Sequence, residues 1–334
     1  MRRVLGRTGI EVGEVGIGTW ELAGDVWGAK DDDRSRAALL AGIEAGATFI
    51  DTASDYGQGH VEELIGGLFG DGSIARDEVV IATKIRPEAM KWAPPPHRSI
   101  SEFFPPDWIR SECDVSLRRL RTDHVDVLFL HTWSRSWAHE DGWFGVMADL
   151  KEAGKIRSIG ISIADEGVAD ANVAIALGQV EVVQCVYSVF QQEPEVTLFP
   201  LAAKHGVGIV ARSPFSSGAL VQTWSAGMEF PEGDWRATWP QEVKRDWVAE
   251  QARMADVVGT VIAGTGLSRP AFCLRYVLDS PTVSVVIPGS ANPEHVRANV
   301  EAPAQTPPLT AEVHEELGRL WRDHEVHGTF NGSG

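Results

Sequence analysis

The stretch Phe49-Ile50-Asp51-Thr52-Ala53-Ser54-Asp55-Tyr56-Gly57 sets an acid and a phenol five residues apart where an apolar run ends. Residues 47–50 read as a short buried strand and Asp55-Tyr56-Gly57 as a turn, so Asp51 and Tyr56 fall at the strand's C-terminal mouth. The next two apolar runs end in the same way: Val79-Val80-Ile81-Ala82-Thr83 leads into Lys84, and Val125-Asp126-Val127-Leu128-Phe129-Leu130 leads into His131. A strand buried on both faces has no structural use for a terminal charge. Four polar groups finishing three consecutive strands therefore read as a chemical site.

The four make sense together. A tyrosine with a reference pKa near 10 donates poorly to a developing alkoxide at neutral pH. At roughly 4 Å and an effective dielectric of about 20, a Lys84 ammonium favours the phenolate by on the order of 4 kcal/mol. At about 1.4 kcal/mol per pKa unit, that carries Tyr56 towards neutrality. Asp51 keeps Lys84 charged and oriented, and His131 donates a hydrogen bond to the substrate oxygen or relays the proton. In this D-x-x-x-x-Y, Lys and His set, the chain resembles the aldo-keto reductase family over nearly its whole length. The resemblance implies a (β/α)8 TIM barrel and hydride transfer between NADP (NAD as the alternative) and an aldehyde or ketone, or the reverse from an alcohol. It gives Asp51, Tyr56, Lys84 and His131 as the catalytic residues, with Tyr56 as general acid.

The rest of the chain agrees with an α/β fold. Short strands alternate with amphipathic helices at a pace that favours a parallel sheet. Helices are expected near 33–46, 60–69, 106–121, 142–154, 165–178, 194–205, 268–280 and 293–301. Strands at 16–20, 156–163, 182–189, 208–213 and 283–288 join the three site strands to make eight. Residues 1–15 read as a hairpin about Thr8-Gly9 plugging the barrel's base, 303–326 as a Pro-rich connector and last helix, and 327–334 as a fraying tail. All 334 residues are expected to form one domain, since α/β barrels run past 250 residues as a unit. The glycines of Gly16-Ile17-Gly18 are not followed directly by a helix, so a Rossmann loop is a poor reading.

Composition removes several classes. A formal charge of −17 argues against nucleic acid, whose phosphates demand basic surface. No apolar run reaches the roughly 18 residues of a membrane span, and the N-terminus lacks the apolar core of a secretory signal, so a cytoplasmic location is expected. Cys113, Cys185 and Cys273 lie too far apart in sequence for a metal cluster or a disulfide framework.

Long βα loops at 90–106 and 215–241, rich in tryptophan and phenylalanine, suit the catalytic face. Trp20, Trp92 and Trp133 are the candidate substrate-binding residues among an aromatic rim that includes Trp224, Phe230, Trp235 and Trp239. By resemblance, Gly18, Thr19 and Trp20 line the nicotinamide end, and Ser162 and Gln184 hold the carboxamide. Ile163 stands where the family usually has asparagine. The segment with Arg212, Ser213, Pro214, Phe215, Ser217 and Gly218 clasps the pyrophosphate, and Ile287, Gly289, Ser290, His295 and Asn299 meet the adenosine and its 2′-phosphate. Two other roles on this barrel are a cofactor-binding regulatory subunit, like the potassium-channel β subunits, and a non-redox lyase or dehydratase. The substrate's identity and the choice between monomer and homo-oligomer are open at this point.

Overall fold

The structure, a computed structural model, describes residues 1–24, 27, 30–88, 97–165, 167–225 and 227–326. A hairpin of β1 (Arg2–Val4) and β2 (Glu11–Gly13) precedes eight parallel strands. These are β3 (Ile17–Gly18), β4 (Phe49–Asp51), β5 (Val80–Ile85), β6 (Val125–Leu130), β7 (Ile156–Ser162), β8 (Val182–Val186), β9 (Gly208–Arg212) and β10 (Val283–Ile287), each paired with the next in sequence. Valine and isoleucine dominate them because both faces are covered: β5 and β6 are buried at every position. Bridges from Val15 to Val286 and from Gly18 to Gly289 bring the first and last strands together, so the barrel is nearly closed. A Cβ on Gly18 would stand 2.8 Å from the Ile287 carbonyl oxygen, so closure at this seam needs glycine.

Inside the barrel, Phe49, Val127, Phe129, Val210 and Val285 form a core that Leu5 and Val12 complete from below. The hairpin therefore plugs the N-terminal end. Arg3 donates to the Val283 carbonyl at 2.7 Å, and Arg7 to that of His205 at 2.9 Å, which satisfies carbonyls that the strand and helix ends leave over. The opposite, C-terminal rim is left for the long loops.

Helices cover the outside: α1 (Asp32–Glu44), α2 (His60–Gly70), α3 (Pro106–Leu120), α4 (Trp143–Glu152), α5 (Asn172–Ala176), α6 (Glu193–Thr197), α7 (Phe199–His205), α8 (Gln241–Thr265), α9 (Arg269–Asp279), α10 (Pro293–Gln305) and α11 (Ala311–Arg322). Among the described residues, no single helix is long and apolar enough to cross a membrane. The sequence reading differs in four places. It left 242–267 unassigned, where the 25-residue α8 lies. It ran one helix over 194–205, which breaks at Leu198 before a proline that cannot donate. It drew 165–178 as a helix, of which α5 and a 3-10 turn at Val168–Ala171 form. It began the connector at 303, but α10 continues through Pro303 to Gln305.

Candidate active site

Three strands deliver the site. Asp51 is the last residue of β4, Lys84 the penultimate residue of β5, and His131 follows β6 directly. Backbone pairing continues past the strand ends, with Thr52 donating to Ala82 O at 2.8 Å, Ser54 to Lys84 O at 3.0 Å and His131 to Ile85 O at 2.9 Å. Thr19 is pinned as well, its hydroxyl 2.8 Å from Asp51 O. Tyr56 opens a short turn, Tyr56–Gly59, whose next three residues are left-handed, with φ of 57°, 57° and 94°.

Lys84 is fully buried, and its ammonium donates to Asp51 Oδ2 at 2.8 Å, Thr52 O at 2.8 Å and Tyr56 OH at 3.1 Å. Gln184 donates to the other Asp51 oxygen at 2.7 Å, and Ser162 Oγ lies 3.4 Å from Gln184 Oε1. The expected carboxamide-binding pair is thus hydrogen-bonded to the Asp51, Lys84 and Tyr56 cluster. His131 Nδ1 stands 3.0 Å from Asp55 Oδ1, with the ring edge-on to Tyr56 at 5.8 Å between centroids.

The electrostatics run against one expectation. Burial, followed by the Asp51 and Asp55 carboxylates, pushes the Tyr56 phenol well above its ordinary value. That direction is opposite to the shift towards neutrality expected from Lys84, and burial is its first cause. Burial also holds the Lys84 ammonium and the His131 imidazole below their usual values, with Asp51 and Asp55 opposing. For Asp55 burial acts upward, yet the His131 pair prevails and keeps the carboxylate below its usual range.

The residues expected to hold the cofactor lie on or just after β3, β7, β8, β9 and β10 and on α10. Ser213, Ser216, Ser217 and Gly218 have φ of 57°, 47°, 55° and 96°. Backbone of this kind can turn N–H groups towards an anion, and three of the four residues are not glycine. Pro214 and Phe215 lie inside this segment. Arg212 points elsewhere, donating to Ile163 O at 3.1 Å and pairing with Asp165. Gly289 meets Gly18 across the seam, and a Cβ there would fall 1.8 Å from a Glu21 carboxylate oxygen. Ser290 caps the turn into α10 through Asn292 N at 3.1 Å, Asn299 is buried, and His295 is exposed in the first turn of α10.

The aromatic rim needs correction. Trp20 is half-buried and lies 5.2 Å from Trp27 and 6.0 Å from Trp235. Trp133 is 1% exposed, packs on Trp137 and Trp143 and donates to Asp170 O at 3.1 Å. It props up the loop after β6 and offers no face to a substrate. Trp92 lies outside the described residues.

Sequence reasoning missed Asp55, Glu21, Arg34 and the latch of the loop after β9. In that latch Arg236 grips Asp234 through two bonds of 2.9 and 2.6 Å, donates to Ser217 O at 2.8 Å and stacks on Phe230 and Trp27. Asp234 bridges to Trp27, which ties this loop across the mouth to the loop after β3. Burial raises the Glu21 carboxyl to about 7.

A family model described as the aldo/keto reductase family matches residues 14–322. The chain is 27% identical over 313 residues to an aldo-keto reductase, YhdN, of Bacillus subtilis, covering 94% of this chain and 91% of the relative. It is 27% identical over 314 residues to the NADH-specific methylglyoxal reductase of Escherichia coli, covering 89% and 92%. A solved aldo-keto reductase from Klebsiella pneumoniae in complex with NADPH superposes with a TM-score of 0.67 at 25% identity, covering 96% and 95%.

Proposed function

The chain belongs to the aldo/keto reductase family, and from that premise we propose that residues 1–334 form one barrel domain that reduces an aldehyde or ketone to its alcohol, or runs the reverse, with Tyr56 as general acid and NADP as the favoured cofactor. The observation that carries this reading is the buried Lys84 ammonium placed 2.8 Å from Asp51 and 3.1 Å from Tyr56 OH at the rim of the barrel.

The geometry supports a role for each residue. Lys84 fills a lone pair of the Tyr56 oxygen, which turns the phenolic O–H away from it and towards the mouth. A phenol above its ordinary pKa is protonated throughout the neutral range, so the proton is always in place. It moves only when the substrate oxygen becomes an alkoxide, a far stronger base than a phenolate. Asp51 keeps Lys84 oriented against the burial that would strip its charge. A bound nicotinamide dinucleotide supplies the hydride. The serine and glycine nest after β9 suits its pyrophosphate, and Trp20 suits the substrate's apolar face. Arg34 Nε lies 3.0 Å from Ala291 O and places a permanent cation beside Ser290, which supports NADP over NAD. The bacterial relative named as NADH-specific makes NAD the alternative.

The test is a panel of aldehydes and ketones offered with NADPH and with NADH, followed at the reduced-nicotinamide absorbance. Tyr56→Phe is expected to lower kcat by about 10²- to 10⁴-fold while leaving cofactor affinity unchanged. Turnover of nothing in the panel, or wild-type turnover by Tyr56→Phe, would overturn the reading.

A further inference from the structure

Glu21 is the middle residue of the turn Trp20–Leu22, which follows β3 at the C-terminal rim of the barrel. Its carboxylate is folded over Gly289, just past the end of β10: a Cβ there would fall 1.8 Å from Oε2 and 2.3 Å from Oε1. The side chain that Gly289 lacks thus leaves the notch in which this acid lies. Among the described residues no side chain donates to the carboxyl, and the hydrogen bond it does receive comes from its own amide. Arg236 and Asp51 act on it through their charges, and it acts in turn on Tyr56. A half-buried acid without a side-chain donor is held at a cost, and it gains most from a ligand that brings one.

We propose that Glu21 is a specificity-determining residue whose carboxyl receives a hydroxyl carried by the carbonyl substrate, so that uncharged hydroxy-aldehydes and hydroxy-ketones are the preferred class. The inference rests on the oxidoreductase reading of the site and narrows it. Three observations select a hydroxyl over other donors. Trp20, the preceding residue, is half-buried, and an indole beside a carboxyl fits a hydroxylated carbon chain, with C–H groups on the ring and O–H groups on the acid. Burial raises the carboxyl to about 7, so both its forms are present near neutral pH. A hydroxyl donates and accepts and pairs with either form, whereas an ammonium only donates and loses its charge partner when the acid is neutral. Finally, Arg236 opposes a cationic ligand at Glu21, while Asp51 and Asp55 near Tyr56 oppose an anionic one.

The test compares carbonyl pairs that differ in hydroxyls: hydroxyacetone against butanone, and glyceraldehyde against propanal. Taking each pair's ratio of kcat/KM and comparing it between variants cancels the intrinsic reactivity of the carbonyls. The wild type is expected to favour the hydroxylated member. Glu21→Ala should lower each ratio by about tenfold to a hundredfold, the worth of a hydrogen bond to a charged group. Glu21→Gln, whose amide oxygen still accepts, should keep part of the preference. Gly289→Ala leaves the acid in the chain but fills the notch beneath it, so it should displace the carboxyl and lower the ratios as Glu21→Ala does.

Binding is read without turnover by saturation-transfer NMR of the cofactor-loaded protein, with glycerol and 1-propanol as probes. The glycerol signal should fall in Glu21→Ala relative to that of 1-propanol. Ratios that are the same in the wild type, Glu21→Ala and Gly289→Ala would overturn the proposal. The ribose of the dinucleotide offers the same donor, so NADPH affinity is measured alongside by isothermal titration. A tenfold weaker NADPH complex in Glu21→Ala with the substrate ratios unmoved would give the hydroxyl to the ribose and overturn the substrate class. If Glu21→Ala does not fold, Glu21→Gln and Gly289→Ala decide. A glycerol signal that depends on Glu21 in a protein inactive on every carbonyl would support the hydroxyl site and sink the oxidoreductase reading, so the two failures are distinct.

Discussion

Replacing Lys84 with methionine isolates the cation at the heart of the site. Methionine fills similar space, so the fully buried cavity stays packed, but three hydrogen bonds vanish at once: those to Asp51, Thr52 and Tyr56. With Nζ at 3.1 Å from the phenol oxygen, an effective dielectric of about 20 gives roughly 5 kcal/mol of attraction to a phenolate. That stabilisation exists only as the proton leaves Tyr56, so it acts on the transition state. At about 1.4 kcal/mol per factor of ten, it caps the loss near 10⁴-fold, and solvent and relaxation reduce it to about 10²–10⁴ in kcat. Asp51 meanwhile loses its ion pair and keeps Gln184, and breaking a buried pair costs about 3–5 kcal/mol. Lys84→Met should therefore melt earlier, so kcat is read well below its transition, by single-turnover absorbance with cofactor in excess. Cofactor affinity, followed by tryptophan fluorescence, should hold within about tenfold, because the change lies on the substrate side. A folded Lys84→Met protein turning over its best carbonyl at the wild-type rate would refute the reasoning.

Three further outcomes are expected. His295→Arg should raise the NADPH-to-NADH affinity ratio by about tenfold, since a guanidinium adds a permanent charge and a bidentate fork, and an unchanged ratio by isothermal titration would remove this residue from cofactor selection. Arg236→Met should unfasten the loop after β9 from Trp27 and Asp234, which chymotryptic cleavage within 215–241 would report, with added cofactor restoring part of the protection. Glu21→Gln should stabilise the protein above pH 7 by at most about 3 kcal/mol, and by less given the solvent that reaches this half-buried carboxyl, because a native pKa raised from 4.5 to about 7 makes ionisation a cost that begins above 4.5 and is complete above 7. Below pH 4.5 both forms are neutral, so equal chemical-denaturation midpoints are expected there, and a gap that persisted at low pH would count against the linkage.

The barrel and the cluster at its rim were legible because a charge at the end of a fully buried strand is anomalous, and three consecutive strands repeat the anomaly at Asp51, Lys84 and His131. The missed α8 left a signal too. Trp247, Val248, Met254, Ala255, Val258 and Ile262 recur at helical spacing and are all buried, directly after Pro240. Trp133 misled because composition cannot tell a tryptophan that faces a cavity from one that closes a core; its neighbours Trp137 and Trp143 are set by the path of the loop. Asp55 was hidden for a different reason. Its contact with His131 spans 76 positions, and the adjacent Tyr56 accounted for the local motif without it.

The same limit explains the reversed direction at Tyr56. A reading that pairs residues along the chain counts one cation, Lys84, and predicts a phenol drawn towards neutrality. The fold buries that phenol, which is the largest cause, and then sets Asp51, Asp55 and Glu21 around it, with Arg212 opposing them. A carboxylate contributes its charge wherever the turn happens to place it, whether or not it belongs to the motif. The outcome is a phenol that keeps its proton across the neutral range. Changes in activity between mildly acid and neutral pH must then come from a group that does titrate there. Within the proposed set, His131 is the group whose ordinary value lies nearest that interval, and burial moves it downward, with Asp55 opposing. A pH profile that followed the phenol, unmoved by Asp55→Asn, would place the titration back on Tyr56.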